Sequence, residues 1–156
     1  DAWERQNFWT AEMAWSRALE QLDEAITPRE HAKILTNRSH VRILLGRRCR
    51  STGFGYFKCS QAMLKEAAAD AAEATRLDVS WLEGALREAE AIVALGPDQR
   101  AMEACRILSK AVKTLDNLAP DERKAQQSVC SSLQERLKFS KARAKAWCVF
   151  KPGTTP

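Results

Sequence analysis

Apolar residues recur along this chain at spacings of three and four, and alternating strand-like runs are absent. The stretches so patterned are dominated by Ala, Leu, Glu, Lys and Arg, the residues that lose least on entering a helix. The pattern predicts helices over residues 2–13, 15–26, 29–45, 60–76, 79–95, 98–115 and 120–147. The breaks between them carry stop and start chemistry. Thr27-Pro28 places a capping hydroxyl just before a proline at a first helical position. Gly46 and Gly96 stand where a helix end calls for left-handed backbone, and Pro97 follows the second. Residues 149–156 are expected to form a flexible tail. Seven helices joined by short turns make an all-α array.

The array has an internal period. Ala18, Leu22 and Ala25-Ile26 in the second predicted helix are echoed by Ala67, Ala71, Ala74 and Leu77-Asp78 in the fourth. Leu45-Gly46 closes the third as Leu95-Gly96 closes the fifth. Small residues at these places let the two helices of a hairpin approach closely, with a repeat length of about 34 residues. Three such pairs and a terminal helix leave a surplus of about 16 to 20 residues, which falls between Gly46 and Glu66.

Two stretches carry a specific resemblance. AKILTNRSHVRILLG, residues 32–46, and AAADAAEATRLDVSW, residues 67–81, resemble tetratricopeptide repeats, in particular those of chaperone-binding adaptor proteins. Asn37-Arg38-Ser39 matches the Asn-Arg-Ser triplet of that family. Leu77-Asp78-Val79-Ser80-Trp81 matches its Leu-Asp-Pro-x-Trp boundary, with Val79 in place of proline. The resemblance covers residues 3–118. It implies a superhelix of three helix-turn-helix repeats over 1–120, an insertion in the second repeat at about 47–63, and a capping helix over 121–148.

In that family a concave groove holds the terminal carboxylates of an acidic peptide in a clamp of Asn, Lys and Arg side chains. Amides and cations suit the task because they donate hydrogen bonds to an ion that is partly stripped of water. Carried over by position, Asn7, Asn37 and Arg87 are expected to be peptide-binding donors. Lys33 and His40 share a helix face with Asn37 and join them as groove contacts. The two clamp lysines are missing: Trp3 and Glu83 stand in their places. An anion about 4–6 Å from a bound carboxylate repels it by roughly the worth of one good hydrogen bond. Glu83 therefore weakens any standard chaperone tail and favours a ligand with a basic residue there.

Charge adds a second reading. The 156 residues carry 25 Lys and Arg against 20 Asp and Glu, a net charge of +5, and the excess is concentrated. Residues 29–58 hold eight basic side chains and one acidic, and residues 121–156 hold eight and three. The insertion RRCRSTGFGYFKCSQAM couples Arg47, Arg48, Arg50 and Lys58 to Phe54, Tyr56 and Phe57, a combination suited to stacking on bases or gripping an acidic peptide. Lys141, Arg143 and Lys145 crowd the later half of the last helix. These seven cations are the candidate contacts for an anion or a nucleic acid.

Other classes are excluded or unsupported. No apolar run nears the ~20 residues of a membrane helix, so a membrane partner is not expected. Five cysteines, odd in number and without CxxC spacing, fit free thiols in a reducing compartment: the cytoplasm, or alternatively the nucleus. His31 and His40 are the whole histidine complement, and no metal-ligand spacing, phosphate loop or nucleophile motif occurs. No metal, cofactor or enzymatic activity is therefore expected. A chain that begins at Asp1 and enters the helical pattern at once is expected to be part of a longer protein. The expectation for function is a non-enzymatic adaptor that takes a short peptide or C-terminal tail of a partner, a heat-shock chaperone being one candidate. The alternative is a basic nucleic-acid-binding module.

Overall fold

The computed structural model describes residues 2–23, 25–51, 57–96 and 99–149, with side chains from residue 7 onward except 50, 51, 57, 58, 99 and 146–149. All regular structure among them is helix: α1 (Ala2–Glu20), α2 (Pro28–Ser51), α3 (Phe57–Leu77), α4 (Leu82–Leu95), α5 (Gln99–Asp116), α6 (Pro120–Ala125) and α7 (Gln127–Val149). Each long helix packs against the next, and α2 also touches α4 as α4 touches α7.

The contacts fix directions. Phe8, Glu12 and Ser16 of α1 meet Arg48, Arg42 and Arg38 of α2, so these helices are antiparallel. Ser60 of α3 meets Gly46 of α2 while Asp70 meets Arg38, again antiparallel. The step from α3 to α4 reverses in the same way, Gln61 reaching Leu95, and α5 packs along α4 after a connection of only three residues, which reverses the chain again. The result is two rows: α2, α4 and α7 side by side in one direction, with α1, α3 and α5 behind them.

Three apolar clusters hold the rows together. One joins Leu82, Leu86 and Ile92 to Leu108, Leu115 and Leu133 across α4, α5 and α7. A second joins Ile43, Leu64, Ala67 and Leu95 across α2, α3 and α4. A third, at the α1 end, contains Ala32, Leu35 and Ala74, with Leu19, Leu77 and Trp81 packed against it. Burial of side chains like these supplies about 1.5–3 kcal/mol each.

Helix ends follow local chemistry where it is strong. At the start of α2 the Thr27 hydroxyl accepts a bond from the Glu30 amide at 3.2 Å, and the Glu30 carboxylate accepts from the Thr27 amide at 3.0 Å. This reciprocal capping box, with Pro28 as first helical residue, matches the start expected there.

Elsewhere the expected boundaries are corrected. Residues 2–20 form one helix, so the two helices expected over 2–26 are not found. Ala14, between the two, is the best helix former and gives the chain no reason to turn. Gly46 does not end a helix either, since α2 continues to Ser51. Its missing side chain serves packing: a Cβ there would stand 2.7 Å from Leu64 Cγ. Ser60 uses the opening to donate from Oγ to the Gly46 carbonyl at 2.7 Å. The expected insertion thus divides into the last turn of α2, the first turns of α3, and residues 52–56, which lie outside the described residues together with Phe54 and Tyr56. The expected cap over 121–148 is two helices, broken at Gln126. Val149 is the last helical residue of α7, and the remainder of the expected tail lies outside the described residues.

Candidate functional site

The front row presents three stripes of polar side chains. On α2, Lys33, Asn37, His40 and Arg47 succeed one another at spacings of four, three and seven, which keeps them on one face. Glu83, Arg87 and Glu90 do the same on α4. Arg136, Phe139 and Ser140 come from α7 and line a cleft with Arg47, Glu90 and Val93. Because the three helices run the same way, the stripes lie alongside one another, and with the cleft at Arg47, Glu90 and Arg136 they make the candidate groove.

The groove is anchored at one end by Trp81, which caps the approach to α4. Its indole donates to Thr36 Oγ1 at 3.1 Å. Lys33 Nζ lies 5.6 Å and Arg29 Cζ 5.3 Å from the ring centroid. In the middle, Arg87 donates to Glu83 at 2.8 Å and to Glu90 at 2.9 Å. Glu90 in turn accepts from Arg136 at 2.8 Å, tying α4 to α7. The chain Glu83–Arg87–Glu90–Arg136 is thus two acids and two bases, with Arg87 enclosed at 19% exposure.

His40 faces this chain from α2. Burial holds its imidazole below the ordinary value of 6.5, and the Arg87 cation pushes in the same direction. Glu90 and Glu83 oppose the shift, and Arg47 on its own helix adds to it. Its Nδ1 is buried and takes no hydrogen bond among the described residues, as is also true of Arg87 Nε. The shift sets a sign. Above the ordinary histidine value both folded and unfolded chains are neutral at this site. As pH falls below it the unfolded chain takes up a proton that the folded groove refuses, so stability drops until the lower folded value is passed. Urea unfolding of wild type and His40→Gln between pH 7.5 and 5.5 is expected to show the wild type losing more stability. The difference is the quantity to read, because the half-buried Glu88, raised by burial and then by Glu103, titrates with the opposite sign. Equal losses in the two proteins would contradict a depressed His40.

Of the residues expected to bind peptide, the structure brings Lys33, Asn37, His40 and Arg87 to this groove. Asn37 is exposed, between the level of Trp81 and that of His40. Asn7 is elsewhere. It is exposed on α1 next to Phe8, whose ring lies 5.0 Å from Arg48 Cζ. That places it about eleven residues along α2 from Asn37, roughly 16 Å. Trp3 is on the same helix, its side chain outside the described residues.

The candidate anion contacts do not converge. Arg47 turns toward α4 and α7 while Arg48 turns toward α1. Arg143 lies over the Phe139 ring at 5.9 Å, and Lys141 and Lys145 are exposed on α7. The side chains of Arg50 and Lys58 lie outside the described residues.

Two groups went unnoticed in the sequence. Glu90 shares the spacing of Glu83 and Arg87 and was open to the same helical argument. Arg136 reaches the groove only through the packing of α7, which no local pattern encodes. Arg38, beside Asn37 in the sequence, faces the other way: it forms two bonds with Asp70, at 2.8 and 2.7 Å. Among the described residues no group of His, Cys, Asp and Glu is placed to hold a metal ion, Cys59, Cys105 and Cys130 are free, and no helix is long and apolar enough to cross a membrane. No protein-family profile, curated protein or solved structure matches the chain.

Proposed function

We propose that this chain is a non-enzymatic interaction domain of the tetratricopeptide type that holds a short extended peptide of a partner protein in the groove of α2, α4 and α7. The observation that carries this is the alignment of polar stripes on three same-direction helices, from Lys33 and Asn37 through His40 and Arg87 to Arg136. Such a surface offers side-chain donors and acceptors to an extended backbone along its whole length. The row of helices with small residues at Ala67, Ala71, Ala74 and Gly84 supports a repeat superhelix as its frame.

The ligand is a peptide of mixed charge. Arg87 already satisfies Glu83 and Glu90, so an incoming carboxylate must displace one of them. A peptide with one basic residue opposite Glu83 and an acidic or polar end toward Lys33 and Asn37 meets each partner with the opposite sign. A chaperone tail with several carboxylates is then a weak ligand.

The test is a fluorescence titration with a labelled peptide ending in Glu-Glu-Val-Asp, using wild type, Glu83→Lys and Arg87→Ala. The wild type is expected to bind weakly, Glu83→Lys about tenfold tighter, and Arg87→Ala not measurably. Identical affinities in all three proteins would remove this groove as the binding surface.

A further inference from the structure

At the end of the array the paired helices α5 and α7 have an outer surface that no other described element covers. A cavity of about 420 Å³ opens there, lined by Met102, Cys105, Arg106, Ser109, Lys110, Lys113 and Ala144. The α5 residues among them follow helical spacing and form one face about 16 Å long from Met102 to Lys113. Their chemistry is divided. Met102 is 52% exposed, and with Cys105 and Ala144 it makes an apolar floor. Arg106, Lys110 and Lys113 stand exposed around that floor; Lys110 is felt by the half-buried Glu88 of α4. The carboxylates of α5, Glu103 and Asp116, do not line the cavity. On α7, Lys141 stands one turn before Ala144 and Lys145 just after it, both exposed.

We propose that this surface is a second docking site, taking an acidic amphipathic helix of a partner protein. The length and direction of the groove suit a helix laid along α5 and α7, with apolar side chains on the Met102 floor. Methionine fits this use because its unbranched chain adjusts to the shape of what covers it. The cations settle the sign of the partner: carboxylates flanking its apolar stripe meet Arg106, Lys110 and Lys113 on one side and Lys141 on the other. A phosphate backbone would satisfy the cations but leave the apolar floor unused, which favours protein over nucleic acid. The chain's own residues 150–156 contain Lys151 and no acidic side chain, the wrong sign for this groove. A second copy of a chain with net charge +5 is also disfavoured.

The experiment uses the full chain and a fluorescein-labelled helical peptide of about 18 residues, with leucines on one face and glutamates elsewhere. A peptide of identical composition with the leucines scattered, and a single-stranded oligonucleotide of equal charge, serve as comparisons. The amphipathic peptide is expected to bind at micromolar Kd and to lose about tenfold or more with either Arg106→Glu/Lys110→Glu or Met102→Gln. Met102→Gln keeps every charge, so its effect reports the floor alone. The Glu83→Lys change in the α2–α4–α7 groove is expected to leave this binding intact, which separates the two sites. Equal binding of the scattered peptide, indifference to Met102→Gln, or tighter binding of the oligonucleotide would each overturn the proposal. So would binding lost on Glu83→Lys.

Discussion

Asp70→Ala is expected to lower the free energy of unfolding by about 3–5 kcal/mol. Asp70 is 8% exposed in its side chain and serves two guanidinium groups at once. It accepts two bonds from Arg38 and one from Arg42 at 3.0 Å. Arg42 also bonds Glu12 at 2.8 Å, and Arg38 reaches Ser16, so the cluster locks α1, α2 and α3 together. Removing the carboxylate leaves two largely buried cations sharing what remains, and an unpaired buried charge costs more than the intact pair contributes. The loss would be a large fraction of a typical stability of about 5–15 kcal/mol. Urea unfolding followed by circular dichroism measures it. Replacing Glu12, Arg38, Arg42 and Asp70 together by Leu, Met, Leu and Leu is expected to recover most of the loss, because no buried charge is then left without its counter-charge. A single-site loss below about 1 kcal/mol, the range of exposed pairs, would mean that water or Glu66 takes over the role of Asp70.

Leu133→Ala is the second large change, with an expected cost of about 2–5 kcal/mol. Leu133 is fully buried in the cluster shared by α4, α5 and α7. Its truncation removes three carbons and leaves a cavity that the flanking helices close only in part. The effect also has a local signature. Leu133 is one turn before Arg136, so a loosened α7 withdraws the partner of Glu90 from the groove. Hydrogen exchange of α7 amides is expected to accelerate more than that of α2. Uniform acceleration along the chain would show instead that α7 does not yield separately.

The helical class was legible because spacing and composition agreed over almost every segment. A boundary near Leu77-Asp78 was legible too, but its length was not: α4 begins at Leu82, three residues after the expected start at 79. In the fold Asp78 accepts from the Ser80 amide at 2.9 Å, turning the chain from α3 into α4. The misread boundaries share a cause. A glycine signals either a stop or a close approach, and Gly46 is the second kind, a distinction made by Leu64 and Ser60 from another helix. The merger of residues 2–20 into one helix follows from the absence of any breaker, which the repeat pattern had overridden. The break at Gln126 has neither Gly nor Pro to announce it.

The candidate site was legible by halves. Helical spacing placed Lys33, Asn37 and His40 on one face, and Arg87 lies near enough to His40 for its charge to be felt there. Asn7 was carried over by position from the resemblance, which implies two helices where residues 2–20 form one, running antiparallel to α2 and setting Asn7 at the far end from Asn37. The neutralisation of Arg87 by two acids required only the spacing of Glu83 and Glu90. Its extension to Arg136 required the third dimension.

One clip at the turn into α4 bears on how the array comes apart. Arg29, just inside the start of α2, bonds Asp78 and Ser80 at the α3–α4 turn and Glu122 on α6. Gln126, almost fully buried, extends the link by accepting from the Leu82 amide at 3.0 Å and donating to the Ser80 carbonyl at 2.8 Å. Stacked helical units that touch only their neighbours can fray from either end, one unit at a time. Here a single guanidinium joins residues 93 positions apart, so loss of the last helices removes a hydrogen-bond partner from the start of α2. A coupling between distant ends of the array is the consequence: fraying of α6 and α7 is felt at the start of α2, through the one guanidinium they share.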